Sequence, residues 1–531
     1  MEKTAFIHRV MQHGISRAVM LSVALLCMVA QGAWAEDVKY IYYRAVDDGN
    51  QVSLNKFNET AKDPTVLTSK LISGNEEDRL YDGWYVLNSS FSYGERIVIY
   101  GDVHLILKDG CTLTAEQGIR INTDATLSIY AQSEEETTMG KLVAIETHHD
   151  KAAIGGNKNY RAGMLYIHGG NIEATCKDGS KYAAGIGGGY GDGSGMKAIT
   201  IYGGKVTAQG AYLGAGIGGG KNNNYPGIIN IYGGTVGSTG GEYGAGIGGG
   251  ENRAGWNTNI YGGDIRATGG FYGAGIGGGE EGKGGNLHFF GGKVRAYGGK
   301  WASGIGAGED GDGGTIIIDG GNIGAWGEEG APGIGGGATR WPPHGRKSGT
   351  ITINDGLIEA HGSYEEGGSN YSDRGGAGIG SGNQGTVENI TINGGNIKAY
   401  GSNGAAGIGG GHRSKASGVI KITGGSIYAQ GDYIYLGWDE AGDDVHAGTG
   451  IGAGCCSKED CEINISGTPY IEAVGATGAA AIGAGLWSTG YLNISITGGH
   501  IRATVSNDGS MPMLIGVGGD SKDKYAQCHH C

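Results

Sequence analysis

The sequence has little proline, few cysteines and no long apolar segment after its first residues. Proline supplies only 7 of 531 residues, which excludes a collagen-like chain despite 116 glycines. Seven of the 8 cysteines follow residue 35, which is too few for a disulfide-stabilised scaffold of this length. No later apolar run approaches the ~18 residues of a membrane span, so no transmembrane anchor is expected. The fold must therefore be stabilised by its own packing.

Positive charge is also scarce. The chain has 39 Lys and Arg against 53 Asp and Glu, a net charge of −14. Such a surface repels nucleic acid, which is not expected as a partner. The glycine-rich runs lack the Gly-x-x-x-x-Gly-Lys-Ser/Thr order of phosphate-binding loops and the tandem nonapeptides of calcium-binding β-rolls.

The N-terminus has the pattern of an export signal. Lys3, Arg9 and Arg17 precede an apolar run over residues 18–30, which is followed by Ala33-Trp34-Ala35. A basic region, a short apolar segment and a small-x-small site predict a signal peptide over residues 1–35, cleaved after Ala35. We therefore expect a secreted protein, located outside the cell or at the cell surface.

A Gly-Ala-Gly-Ile-Gly motif recurs about every 30 residues, and a fixed period of this length indicates a solenoid. Its central isoleucines are Ile154, Ile186, Ile217, Ile247, Ile276, Ile305, Ile334, Ile379, Ile408, Ile451, Ile482 and Ile515. Each motif is followed by segments that alternate apolar and polar residues on both sides of a Gly-Gly pair, as in Ile199–Ala208. Period-two alternation predicts strands, so each repeat should supply three. The fold class is an all-β, right-handed parallel β-helix of about 12 or more coils.

The repeat pattern also sets the expected boundaries. Residues 36–84 lack the period and are expected to cap the N-terminal end. Residues 85–150 form irregular first coils, 151–519 the regular repeats, and 520–531 a tail without a strand pair or cap. An uncapped end would leave an edge for self-association, or the reading frame is shorter than that of its relatives.

These residues resemble a known group of proteins. The segments 101–115 and 127–132, with the repeated glycine motif and the Ile-Thr-Ile-x-Gly-Gly units, resemble large surface or secreted β-helix proteins of gut-dwelling bacteria. The resemblance covers residues 85–519. The chain is more loosely similar to right-handed β-helix polysaccharide-binding proteins and polysaccharide lyases. This implies contact with surface glycans, but it supplies no catalytic motif at these positions.

Two outward columns are rich in aromatic residues. Tyr297, Trp326, His361 and Tyr400 follow the inward alanine of successive repeats, and a second set, Tyr202, Tyr232, Tyr261 and Phe290, precedes the Gly-Gly pair. Each set predicts a strip of rings at the ~5 Å spacing of coils. Such a strip is a candidate surface for a polysaccharide, or its rings stabilise one another on the pleated surface.

Two repeats carry insertions that leave the same corner two coils apart. Residues 363–374 include Tyr364, Glu365, Glu366, Tyr371 and Asp373, and residues 432–446 include Trp438, Asp439, Glu440, Asp443 and Asp444. Aromatics with carboxylates suit a glycan site, and Asp439, Glu440, Asp443 and Asp444 are candidate Ca²⁺ ligands. The alternative is two solvated surface loops. No cofactor besides Ca²⁺ is indicated.

Basic residues cluster at the opposite corner. Trp341 and His344 lie within Arg340–Lys347, and two coils further on His412, Arg413 and Lys415 occupy the same corner. This cluster is either a contact for an acidic sugar or a solvated charged loop. Separately, Cys455, Cys456 and Cys461 share one loop and suggest a local disulfide.

Three functions remain open, and no catalytic residue is assigned. The preferred hypothesis is a non-catalytic adhesin or polysaccharide-binding module. The alternatives are a polysaccharide lyase or glycoside hydrolase that uses the two insertions, and a structural rod that assembles end to end. Alternation further suggests that Gly216 and Gly218 face outward and leave a bare docking face, unless the glycines adopt positive φ at a corner.

Overall fold

The computed structural model describes residues 36–47, 52–177, 179–339, 346–362, 375–439, 442–458, 460–506, 514–517 and 526–529, with side chains for all of these except 415–417, 434–444 and 526–529. Three long parallel sheets, here named A, B and C, account for most of them. Every coil visits the sheets in the order C, A, B, and each strand pairs with the equivalent strand of the next coil. The fold is the right-handed parallel β-helix that the sequence predicts.

Sheet A contains 16 strands and carries the first alternating segment of each repeat. Its strands are Thr65–Val66, Gly83–Leu87, Asp102–Leu107, Thr126–Ala131, Arg161–Ile167, Gly195–Ile201, Ile228–Ile231, Asn257–Ile260, Asn286–Phe289, Thr315–Ile318, Thr350–Ile353, Thr386–Ile392, Lys415–Ile422, Cys461–Ile465, Leu492–Ile496 and Ala526–His529. The last strand lies in the segment expected to be a tail, and it pairs with Leu492–Ile496.

Sheet B contains 14 strands, which follow the Gly-Gly bend. They are Phe91–Tyr93, Thr112–Ala115, Lys141–Glu146, Asn171–Cys176, Lys205–Gln209, Thr235–Thr239, Asp264–Thr268, Lys293–Lys300, Asn322–Glu328, Leu357–His361, Asn396–Tyr400, Ser426–Gln430, Tyr470–Gly475 and His500–Val505. Val206 and Ala208 are buried while Thr207 and Gln209 are exposed, so the faces follow the predicted alternation.

Sheet C contains 15 short strands, most of them one Ile-Gly pair. They are Arg79–Leu80, Ile97–Ile99, Ile119–Ile121, Ile154–Gly155, Ile186–Gly187, Ile217–Gly218, Ile247–Gly248, Ile276–Gly277, Ile305–Gly306, Ile334–Gly335, Ile379–Gly380, Ile408–Gly409, Ile451–Gly452, Ile482–Gly483 and Ile515–Gly516. The isoleucines from Ile154 to Ile482 are fully buried and join those of sheets A and B in one continuous core.

The glycine motif is buried, so the predicted bare docking face is wrong. The Ala215 N–H donates to the Gly219 carbonyl (2.9 Å), which closes a loop that places Ile217 in the core. Gly218 has φ +136°, and a Cβ there would lie 2.0 Å from the Gly248 carbonyl of the next coil. The glycines therefore serve the corner geometry and the close stacking of coils, which was the second possibility.

The N-terminal residues form two distinct structures. Strands Val38–Asp47 and Val52–Ala61 form an antiparallel hairpin. Helix α1, Ser69–Gly74, is capped by the Thr68 side chain, which accepts a hydrogen bond from Leu71 N (3.1 Å), and a 3₁₀ turn follows at Glu76–Asp78. Ile72 of this helix is buried in the main core. No helix of the described residues is long and apolar enough to cross a bilayer.

The described cysteines form no disulfide. Cys111, Cys176, Cys455, Cys456 and Cys461 are free, so the expected local bridge is absent. Cys461 begins a strand of sheet A and is buried in the core, where desolvation raises the pKa of its thiol to about 12.

Candidate functional site

Four aromatic side chains form a ladder on the outer face of sheet B. Tyr297, Trp326, His361 and Tyr400 hold the same register position in successive coils. Neighbouring ring centroids are 4.7, 6.0 and 4.6 Å apart, with interplanar angles of 10°, 12° and 17°. The predicted strip of stacked rings is confirmed as geometry, and its role in glycan binding stays a prediction.

Stacking between neighbours covers most of the ring faces in this ladder. Because neighbouring rings are nearly parallel at coil spacing, each inner ring is covered on both faces. At the first ring, the Arg266 guanidinium lies 4.4 Å from the Tyr297 centroid. Mutual stabilisation therefore accounts for the middle of the ladder, where a bound sugar would meet only ring edges.

The ladder opens at its C-terminal end. Tyr428, in the next coil, lies 5.7 Å from Tyr400 at an interplanar angle of 51°. This break borders a shallow groove of about 330 Å³, named the tyrosine groove here, and its lining residues are Asn396, Lys398, Tyr400, Ser426, Ile427, Tyr428, Tyr470 and Glu472. Aromatic surface, a cation and a carboxylate meet in it.

Burial and nearby charges raise the pKa of two phenols of the groove, those of Tyr428 and Tyr400. Tyr428 pairs in register with Lys398 on one side and Glu472 on the other. Burial, and then the charge of Glu472, raise the pKa of Tyr428. Burial, and then the charge of Glu359, raise the pKa of Tyr400. Both hydroxyls can therefore donate hydrogen bonds at neutral pH, and that of Tyr428 donates to Gln430 Oε1 (2.8 Å).

The charged column beside the ladder lacks a hydrolase arrangement. Glu359 pairs in register with Lys398, and Glu472 forms an ion pair with Arg502 (3.3 Å). Within the described part of this column, no two carboxylates occupy adjacent coils. Glycoside hydrolysis uses two carboxyl groups across the scissile bond, and the described part of this column offers no such pair on neighbouring coils.

The second predicted strip is also a ladder, on the outer face of sheet A. Centroids from Tyr202 through Tyr232 and Tyr261 to Phe290 are 5.1, 4.4 and 4.5 Å apart, with angles of 15°, 5° and 6°. It continues toward the N-terminus through four rings that the repeat pattern did not predict: His168, Tyr130, His104 and Trp84. His168 precedes a Gly-Gly pair and was detectable from that pattern; the earlier three precede none.

The N-terminal hairpin covers the first half of the sheet A ladder. The Tyr40 ring lies 4.9 Å from both Trp84 and Tyr130, and the Tyr42 ring lies 4.9 Å from His168. The Tyr43 N–H donates to His168 Nδ1 (3.3 Å). A cavity of about 290 Å³ lies between this hairpin and sheet A. This part of the ladder is therefore occupied by the chain itself.

Most of the predicted loop residues fall outside the described structure. This applies to Ala35, Trp341, His344, Tyr364, Glu365, Glu366, Tyr371, Asp373 and Glu440. The second insertion forms a hairpin of strands Tyr433–Asp439 and Gly442–Ala447, in which the side chains of Trp438, Asp439, Asp443 and Asp444 are not described. The glycan and Ca²⁺ roles of these residues stay predictions.

One member of the predicted basic corner is buried rather than exposed. His412 is completely buried, so it does not belong to a solvated basic cluster. Its Nε2 contacts Nδ1 of His446 at 2.8 Å, at the base of the inserted hairpin. The sequence missed this contact because the two histidines belong to different coils.

Comparison with known proteins supports the architecture. The beta helix repeat family model matches residues 165–190, 199–221, 229–251, 259–280, 351–383 and 390–412. No curated protein and no solved structure matches the chain. The repeat matches and the three long parallel sheets agree that the chain folds as a parallel β-helix.

Proposed function

We propose that this protein is a non-catalytic glycan-binding rod, in which the tyrosine groove and the adjoining ladder of sheet B contact a polysaccharide. The observation that carries the proposal is the groove where the ladder ends, because Tyr400 and Tyr428 diverge there between Lys398 and Glu472. An apolar ring surface beside hydrogen-bonding and charged groups matches the mixed surface of a sugar.

The position of the groove supports the choice of sheet B. The sheet A ladder is covered at its N-terminal half by the chain's own hairpin, whereas Tyr400, Tyr428 and Tyr470 are all at least partly exposed. The coils repeat along the rod, so ring edges of His361 and Trp326 extend the same surface for further sugar units. Export of the protein, predicted from residues 1–35, would bring this surface to extracellular glycans.

Binding and catalysis are separated by one experiment on the full mature chain. A panel of neutral and acidic polysaccharides is assayed for binding by calorimetry and for released reducing or unsaturated sugar, with and without Ca²⁺. Binding without product supports the proposal. Product release would establish the enzyme alternative, and concentration-dependent fibres without sugar binding would establish the structural rod.

A variant pair tests the groove. Tyr428→Ala removes a ring of the groove, and Tyr261→Ala removes a ring of comparable exposure from the sheet A ladder. We expect Tyr428→Ala to weaken binding about tenfold, or about 1.4 kcal/mol, because the variant loses aromatic surface that lines the groove. Tyr261→Ala should bind normally. Equal affinities of both variants and the parent would contradict the assignment of the groove.

A further inference from the structure

Four metal-binding side chains converge at the base of the inserted hairpin. His412, His446, Cys455 and Cys456 each offer a donor atom, and all four atoms lie within 4.8 Å of one another. His412 Nε2 lies 2.8 Å from His446 Nδ1, and the two cysteine sulfurs are also 2.8 Å apart. His412, His446 and Cys455 are buried, and Cys456 is partly buried.

The fold brings these residues together from three segments. His412 follows strand Ile408–Gly409, and Cys455 and Cys456 follow the equivalent strand Ile451–Gly452 one coil later. The Arg413 N–H donates to the Cys455 carbonyl (2.8 Å), which fixes the two turns against each other. His446 comes from the inserted hairpin, where it pairs with Ile434. Backbone pairing therefore positions the ligands independently of any ion.

The surrounding structure leaves space for the cluster. Gly404 has φ +82° and lies against it: a Cβ there would be 3.2 Å from His412 Cδ2 and 3.4 Å from both Cys455 Cβ and His446 Cβ. The second ring nitrogen of His412, Nδ1, is buried and has no hydrogen-bond partner in the described structure. A buried imidazole with an unsatisfied nitrogen beside two thiols has the environment of a ligand rather than of an ordinary core residue.

We propose that His412, His446, Cys455 and Cys456 bind one Zn²⁺ ion, which fixes the inserted hairpin to the rod. Two imidazoles and two thiolates are the Cys₂His₂ donor set of tetrahedral structural zinc sites. Four protein ligands leave no open position for a substrate, so the role is structural. Both cysteines bind as thiolates and both imidazoles as neutral rings, so any thiol proton still present is released on binding. This site is separate from the tyrosine groove and does not depend on glycan binding.

Zinc stoichiometry on the full chain tests the proposal. The protein is purified with reductant, stripped with a chelator and titrated with Zn²⁺ and, separately, with Co²⁺. We expect one equivalent of tightly bound Zn²⁺, and with Co²⁺ the thiolate charge-transfer band and the intense visible bands of tetrahedral coordination. The double variant Cys455→Ser, Cys456→Ser should lose both signals, whereas Cys461→Ala, which changes a buried cysteine outside the cluster, should keep them.

Two further measurements keep the proposal falsifiable if the double variant folds poorly. The single variant Cys456→Ser, which changes a partly exposed residue, should lower zinc affinity at least tenfold. Limited proteolysis should cleave between residues 433 and 447 faster in the stripped protein, and Zn²⁺ should restore protection. The proposal is overturned if the parent protein binds no stoichiometric Zn²⁺, if Cys456→Ser binds it unchanged, or if mass spectrometry finds a Cys455–Cys456 disulfide in protein prepared with reductant.

Discussion

Single glycines carry the corner of every regular coil. The second residue of the Ile-Gly strands has φ between +130° and +143° from Gly155 to Gly516. That region is unfavourable for residues with a Cβ, and the neighbouring carbonyl leaves no space for one at Gly218. The recurrent glycine is therefore required by the positive φ and the close coil contact at the corner, and it does not expose a binding surface.

Substitution of Gly218 tests this explanation. Gly218→Ala should lower the free energy of unfolding by more than the ~1–3 kcal/mol that a strained φ usually costs. The excess comes from the clash of the new Cβ with the Gly248 carbonyl, 2.0 Å away. Gly237→Ala is the matched control, because a Cβ there has no neighbour within 4 Å. We expect the control to be neutral or stabilising by ~0.5 kcal/mol. Denaturant unfolding measures the free energy of unfolding of both variants. Equal values for the two variants would refute the packing argument.

A buried ion pair at the start of the rod gives a second residue-scale prediction. Arg96 pairs with Glu146, whose Oε1 also accepts hydrogen bonds from Thr147 N (2.9 Å) and His148 N (2.8 Å). Burial lowers the pKa of Arg96 to about 10. Glu146→Gln leaves this guanidinium without its counter-charge and should destabilise the protein by ~3–5 kcal/mol.

The control for this variant is the exposed ion pair between Arg79 and Glu77. Glu77→Gln should leave the thermal midpoint unchanged, because water screens the pair. If Glu146→Gln shifts the thermal midpoint no more than Glu77→Gln does, the pair contributes nothing specific to the first coils.

At the scale of elements, the N-terminal hairpin depends on a neutral histidine. Burial, and then the charge of His104, lower the pKa of His168 from 6.5 to about 3. The unfolded chain binds a proton at this side chain below its ordinary pKa while the folded chain does not, so stability is present above pH 6.5 and is lost as the pH falls toward about 3. Protonation would also remove the acceptor for Tyr43 N.

We therefore expect the hairpin to loosen on acidification across this window. The exchange of amide hydrogens in Val38–Asp47 measures the loosening directly. His168→Phe keeps a ring in the ladder between Tyr130 and Tyr202 and cannot titrate, so its exchange should be much less dependent on pH. An unchanged pH dependence in this variant would assign the effect to another group.

The whole molecule is a stack in which each coil contacts mainly its neighbours. The fifteen described strands of sheet C, at ~4.8 Å per coil, give a rod of ~70 Å. This is longer than a rod built only from the 12 coils that carry the glycine motif. In such an array stability is a sum of coil and interface contributions, and whole coils are exchangeable units.

Deletion of one full coil tests this modularity. Removal of residues 218–247 joins Ile217 to Gly248 and restores the glycine motif, so the variant should fold into a rod shorter by ~5 Å with native-like circular dichroism. Removal of residues 218–232 deletes the sheet A strand of this coil but keeps its sheet B strand, Thr235–Thr239. Because the remaining half coil cannot stack in register, this variant should not fold. Small-angle scattering measures the length of each variant, and thermal unfolding shows whether it folds. A full-coil deletion that unfolds would contradict independent stacking.

The sequence by itself determined the period, the three strands per coil and the inward residues, because alternation and a fixed repeat leave few ways to bury Ile199, Ile201 and Val206. It also determined the sheet B ladder and the part of the sheet A ladder from Tyr202 to Phe290, since residues at equal positions in successive repeats must become neighbours.

Only the tertiary structure decided what local patterns leave open. It placed the glycine motif inside the corner, since φ at Gly218 and its distance to Gly248 belong to the folded coil. It laid the hairpin of Tyr40 over sheet A, a contact between segments without shared periodicity. It also joined His412 to His446 and Cys455, because an insertion and two coils meet only in three dimensions. Repetition is readable along a chain, whereas contacts that break the repetition depend on how the whole chain packs.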